Sequence, residues 1–177
     1  PIQGNVGSRD LKVTDHVKRI IKCVTDRQKF DETLAILKSI DPHSRVIIFT
    51  KSKRGADELT RDLRHRGFNA LAIHGDKEQR ERDYVLNEFK SGRTTIMVAT
   101  DVASRGLDVK DIRVVINYDF PMCVEDYIHR VGRAGRKTAD GYSEGTAVSF
   151  FTDTSAKVTR VGVEWMCECV GTDQSLA

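Results

Sequence analysis

The stretch RVIIFTKSKRGADELTRDLRHRG (45–67) decides the reading of the fold. Its first six residues, RVIIFT (45–50), form a short β-rich apolar run, the signature of a strand buried on both faces. From Ser52 the pattern changes. Ala56, Leu59 and Leu63 recur at helical spacing, Ser52 stands where it can cap a helix, and Gly67 stands where the helix should stop. A buried strand followed by an amphipathic helix is the unit from which layered α/β domains are built.

Outward from this stretch the unit repeats. NALAIH (69–74) reads as a second strand, followed by a helix entered at Asp76 as its N-cap, with Tyr84, Val85 and Phe89 turned inward and Gly92 closing it. TTIMVAT (94–100), RVVINY (113–118) and GTAVSFF (145–151) read as further strands, the first two separated by a short polar turn. Upstream, HVKRIIKCV (16–24) predicts a strand and RQKFDETLAILKSI (27–40) a helix with Phe30, Leu34, Leu37 and Ile40 on its apolar side. TSAKVTRVGVEWMCECVGTDQ (154–174) predicts a terminal helix. The expectation is an α/β domain with a doubly wound, mostly parallel sheet covered by helices on both faces. Ligands of such folds collect beyond the carboxyl ends of the strands. TKSK (50–53), HGD (74–76), TDVASRGLD (100–108) and DFP (119–121) fall there.

Composition sets the outer bounds. With 177 residues, 39% hydrophobic and 31% charged, the chain fits one soluble globular domain over 1–177, and disordered and fibrous classes drop out. No apolar run approaches the ~20 residues that span a bilayer, and no secretory signal opens the chain. An intracellular protein, nuclear or cytoplasmic, with no membrane contact is expected, and the opening Pro1 suggests a piece of a longer polypeptide. The four cysteines, Cys23, Cys123, Cys167 and Cys169, have neither CxxC nor zinc-finger spacing and read as free thiols.

A net charge of +3 says less than its distribution does. HRVGRAGRKT (129–138) holds three arginines, a lysine and a histidine with no carboxylate, an arrangement that needs an anion beside it. The spacing in GRAGRKT (132–138) is not that of a phosphate loop, G-x-x-x-x-G-K-[ST]. No Asp-Glu pair follows a strand as magnesium ligands would, and no Ser, His and Asp set stands out. The chain is rich in anion-facing groups and lacks the parts that hold a nucleotide unaided.

Five segments, IIFTKSK (47–53), HGDKEQRER (74–82), ATDVASRGLD (99–108), VINYDFP (115–121) and HRVGRAGR (129–136), resemble in order the motifs of the second RecA-like domain of DEAD-box RNA helicases. The resemblance runs from about residue 11 to 153. It implies a RecA-like fold, the C-terminal lobe of a longer two-domain core, with ATP and Mg2+ as cofactors and the metal held by the N-terminal lobe. The implied partners are RNA, gripped through its backbone independently of sequence, the N-terminal RecA-like domain of the same chain, and regulatory proteins. Arg133 and Arg136 are implied to reach the γ-phosphate, and Gly106 and Asp108 to meet the nucleotide. Thr50, Ser52, Gly75, Gln79, Arg82, Thr100 and Arg105 are implied to contact RNA, while Asp101, His129 and Arg130 work between domains.

Physical chemistry agrees with these roles. Arg133 and Arg136 are three apart and would project to one side of a helical turn. A guanidinium of this kind on a transferring phosphoryl group is worth ~10³ to 10⁵ in rate. Gln79 and Arg82 share a face at a helix start, and Gly106 permits a tight turn. His129 leans toward RNA, since DNA-directed relatives commonly carry Gln there. Ala134 departs from the Thr that many members carry. Two alternatives stay open: a RecA-like docking module without catalysis, and a lobe of a DNA helicase or translocase.

Overall fold

Consecutive apolar residues in one strand can all be buried only if both faces of the sheet are covered, and the chain folds that way. The computed structural model describes residues 16–109, 111–138 and 141–156. In chain order the elements are β1 (Val17–Cys23), α1 (Gln28–Ser39), β2 (Arg45–Phe49), α2 (Lys53–His65), β3 (Ala70–Ile73), α3 (Gln79–Ser91) and β4 (Ile96–Ala99). They continue with α4 (Asp101–Ser104), β5 (Ile112–Asn117), α5 (Val124–Val131), β6 (Arg136–Thr138), β7 (Gly141–Ser143), β8 (Gly145–Phe151) and α6 (Asp153–Ala156).

Six strands form one parallel sheet in the order β1-β8-β5-β2-β4-β3, and β6 pairs antiparallel with β7 as a separate hairpin. Alternation along β2 divides the core. Ile47 and Phe49 face the layer of α3 and α5, with Val85, Phe89, Tyr127 and Val131, whereas Val46 and Ile48 face α1 and α2, with Leu34, Leu37, Leu59 and Leu63. From β2 the chain adds β3 and β4 on one side and β5 and β8 on the other. The loops leaving β4, β2 and β5 therefore part around a common crevice at the carboxyl edge.

The expected strands and helices are present, with four differences. Helix α3 begins at Gln79 rather than at Asp76, because Glu78 and Glu81 form a reciprocal capping box. Asp76 instead pairs with Lys53. Tyr84 is 58% exposed, since α3 turns Val85 and Phe89 to the sheet and carries Tyr84 round to its flank. Helices α4 and α5 and the β6–β7 hairpin lie where no element was expected, although in α5 Val124, Tyr127, Ile128 and Val131 have the i, i+3, i+4, i+7 spacing that would have indicated a helix. Of the expected terminal helix, α6 covers the start; the remainder, with Cys167 and Cys169, lies outside the described residues. Among the described residues no helix is long and apolar enough to cross a membrane.

Candidate functional site

The site is built from the ends of parallel strands. After β2 the chain leaves the sheet at Thr50, and Ser52 caps α2 as its sequence position suggested, its Oγ accepting the Gly55 N–H at 3.0 Å. Lys51 and Ser52 are exposed. Thr50 is not: it is 1% exposed and its hydroxyl donates to the Ser52 carbonyl. Thr100, at the start of α4, is 7% exposed. These two threonines were expected to touch RNA. Both side chains are buried in the lobe, and that of Thr50 is bonded within its own turn.

After β3, His74 is buried, donates through Nε2 to Asp57 Oδ2 at 2.9 Å, and accepts the Asp76 N–H on Nδ1. This ties down the turn that carries Gly75, which is exposed. Lys53 holds the Asp76 carboxyl below its ordinary range by a direct hydrogen bond. Gln79 is exposed and donates to Asp83, while Arg82 is half-buried with a shielded Nε that has no partner. An unsatisfied guanidinium nitrogen at this edge is a donor in want of an acceptor.

After β4, the short α4 leads to Arg105 and Asp108, both exposed, across Gly106 at φ +77. That left-handed conformation is the reason for glycine at this turn. Arg133 donates from Nη1 to the Leu107 carbonyl at 2.6 Å, so a residue just past α5 is fastened to the loop between Gly106 and Asp108. Asp101, Ser104, Arg105, Gly106, Asp126, His129, Arg130 and Arg133 line a small open cleft of about 160 Å³. Residues up to 32 positions apart are thereby collected into one cation-rich hollow, the span from Asp101 to Arg133.

Two expectations about the arginine cluster change. Arg133 and Arg136 do not share a helical turn: α5 ends at Val131, Gly135 takes φ +92, and Arg136 opens β6, its side chain lying outside what the structure describes. Arg130 is 2% exposed and has no surface to offer another domain. It grips Asp101 bidentately, Nε to Oδ1 and Nη2 to Oδ2 at 2.6 Å each, and donates through Nη1 to Asn117 Oδ1 and the Asp119 carbonyl. Its guanidinium lies 5.1 Å from the centre of the Phe49 ring. The anion beside this arginine is a carboxylate 29 residues upstream, invisible within the local window. Asp101 and His129 remain at the cleft surface, the first half-buried and the second exposed.

Sequence reading missed Asp119 and Lys29. Asp119 accepts from Lys29 and from the Lys51 amide, and burial beside it pushes the neighbouring Tyr118 hydroxyl up to about 12. No local signal points to either, since 90 residues separate them. Among the described residues no group of three or more His, Cys, Asp or Glu could hold a metal ion.

Comparison with known proteins agrees with this architecture. Residues 28–138 match the family described as the helicase conserved C-terminal domain. Over 161 residues the chain is 53% identical to ATP-dependent RNA helicase dbp2 of Aspergillus clavatus, covering 90% of this chain and 29% of that protein. Among solved structures, a DEAD box protein of the hyperthermophile Methanococcus jannaschii superposes with a TM-score of 0.75 at 34% identity, covering 90% of this chain and 41% of that one. A structure of S. cerevisiae Dbp5 bound to RNA and ADP BeF3 gives 0.72 at 30% identity, covering 89% and 40%. The chain belongs to the helicase conserved C-terminal domain family and is a RecA-like domain of the DEAD-box kind. It spans less than a third of the length of the curated relatives it matches.

Proposed function

We propose that this domain is the C-terminal lobe of an ATP-dependent RNA helicase, working inside the cell against an N-terminal RecA-like lobe of the same parent chain. The observation that carries the reading is the cleft where Arg105, Gly106, His129 and Arg133 converge, with Arg133 fastened to the Leu107 carbonyl just before the exposed Asp108. Arg133 and Arg136 would face the γ-phosphate of ATP held mainly by the other lobe, neutralising charge as the phosphoryl group transfers. Asp108 would accept a hydrogen bond from a ribose hydroxyl, with Gly106 leaving room for the nucleotide. Asp101 and His129 would lie at the seam between lobes. Mg2+ bound by the other lobe would supply further charge neutralisation.

RNA would lie across the carboxyl edge, touching Ser52, Gly75, Gln79, Arg82 and Arg105 through phosphate and ribose, which makes recognition independent of sequence. The Dbp5 structure with RNA and ADP BeF3, and the relative named an ATP-dependent RNA helicase, support this reading. Regulatory proteins would also bind the lobe; the E. coli DEAD-box protein SrmB is known bound to regulator of ribonuclease activity A.

The test is RNA-stimulated ATP turnover in the full parent, native against the Arg133→Ala, Arg136→Ala double variant, with RNA binding measured on the same samples. Turnover is expected to fall by at least ~10²-fold while RNA still binds. Equal turnover in the two proteins would remove the arginines from catalysis.

A further inference from the structure

Lys29 is the least expected charge in the fold. It lies in the first turn of α1, outside every motif segment in the sequence, yet it is only 7% exposed. Its Nζ sits 3.1 Å from Asp119 Oδ1 and 3.1 Å from Asp26 Oδ1, and 5.5 Å from the centre of the Tyr118 ring. A shielded ammonium persists only when paired and hydrogen-bonded, and this one has a carboxylate on either side and an aromatic face below.

Asp119 puts the pair to use. Its second oxygen, Oδ2, accepts the Lys51 N–H at 2.9 Å. Lys51 lies past the end of β2, so its amide has no ladder partner, and the Asp119 carboxylate replaces one. The main chain of Asp119 is also engaged: its N–H donates to the Phe49 carbonyl, and its carbonyl accepts from Arg130 Nη1. One residue thus joins α1, the β2–α2 turn and the helix leading to Arg133. With one oxygen fixed on Lys29, the other can aim only at the turn.

We infer that Lys29 is a positioning residue for RNA binding: it orients the Asp119 carboxylate, which holds the Lys51–Ser52 turn in the shape that meets the RNA backbone. The inference rests on the helicase reading above and adds to it a residue outside the matching motifs. Lys29 touches neither RNA nor nucleotide; it acts through Asp119 and the Lys51 amide.

The experiment uses the full parent chain and three proteins: native, Lys29→Met, which keeps the stem and removes the charge, and Lys29→Arg, which restores a cation. Hydrogen exchange of the residue 50–53 amides and the RNA concentration giving half-maximal ATP turnover are measured together. Lys29→Met is expected to speed exchange at Lys51 and raise half-saturating RNA by ~5- to 10-fold, with turnover at saturating RNA within about twofold of native. Lys29→Arg should recover most of both effects. If Lys29→Met fails to fold, Lys29→Gln, which keeps a neutral donor, takes its place with the same expectation.

Unchanged exchange and unchanged half-saturation, with only a lower melting temperature, would reduce Lys29 to a structural ion pair. Faster exchange at Lys51 with native RNA half-saturation would keep the clamp and overturn its role. A native parent that binds no RNA would defeat the helicase reading itself, and the RNA role of Lys29 with it; the exchange data would then still separate a working clamp from none.

Discussion

Arg130 illustrates how a residue can look functional and be structural. In the sequence it belongs to a run of cations, 129–138, that holds no carboxylate; in the fold it is 2% exposed, with three nitrogens bonded to Asp101, Asn117 and Asp119. Bidentate geometry and a planar guanidinium over Phe49 make arginine the residue for this place, and lysine could not reproduce the fork. Removing it would strand the Asp101 carboxylate and the Asn117 amide oxygen. Arg130→Met is therefore expected to destabilise the domain by about 3 kcal/mol, near the lower end for a broken shielded pair because Asp101 keeps 28% of its side-chain surface. Urea denaturation measures this, and a loss below ~1 kcal/mol would mean that the network contributes little.

At the scale of elements, the passage from α5 to β6 decides where the arginines go. A continued helix would carry Arg133 and Arg136 on one side, but the chain must turn to bring Gly135 against the start of β8. The approach is close: a Cβ on Gly145 would sit 2.3 Å from the Gly135 nitrogen and 2.7 Å from the Ala134 carbonyl carbon. Both obstacles are backbone and cannot swing away. Gly135 itself bonds through its N–H to the Ile112 carbonyl at 2.8 Å, anchoring the turn to β5. Gly145→Ala is expected to cost at least ~3 kcal/mol and to displace the segment holding Arg133. In the parent chain it should lower both thermal stability and RNA-stimulated turnover. A variant with native melting temperature would disprove the tight crossing. Ala134, where many relatives of the resembled family carry Thr, is 7% exposed in this same crossing, so a small side chain suits the space.

Over the whole molecule, the parallel sheet gathers its polar loops at one edge and leaves the opposite edge to packing. The sheet's outer strand β3 is short, and Arg64 donates to the outward Ala70 carbonyl, which blunts it against pairing with other chains. What the carboxyl edge lacks matters as much as what it holds. It has neither a phosphate loop in its sequence nor, among the described residues, a cluster of metal-binding side chains. The 177-residue chain on its own is accordingly expected to release no phosphate from ATP above background, with or without RNA, in a coupled phosphate assay. Measurable turnover by the chain alone would show that it holds a complete nucleotide site.

The sequence by itself determined the alternation of strands and helices, the doubly wound class, the Ser52 cap and the glycine turn at 106, because each rests on interactions within a few residues. The motif order was legible for the same reason. Only the tertiary structure decided which charges face outward. Thr50, Thr100 and Arg130 turn in, Arg133 parks on the Leu107 carbonyl, and Lys29 reaches Asp119 across 90 residues. Such choices depend on which strands become neighbours, and the order β1-β8-β5-β2-β4-β3 is set by burying two apolar faces at once, a condition that no local window contains.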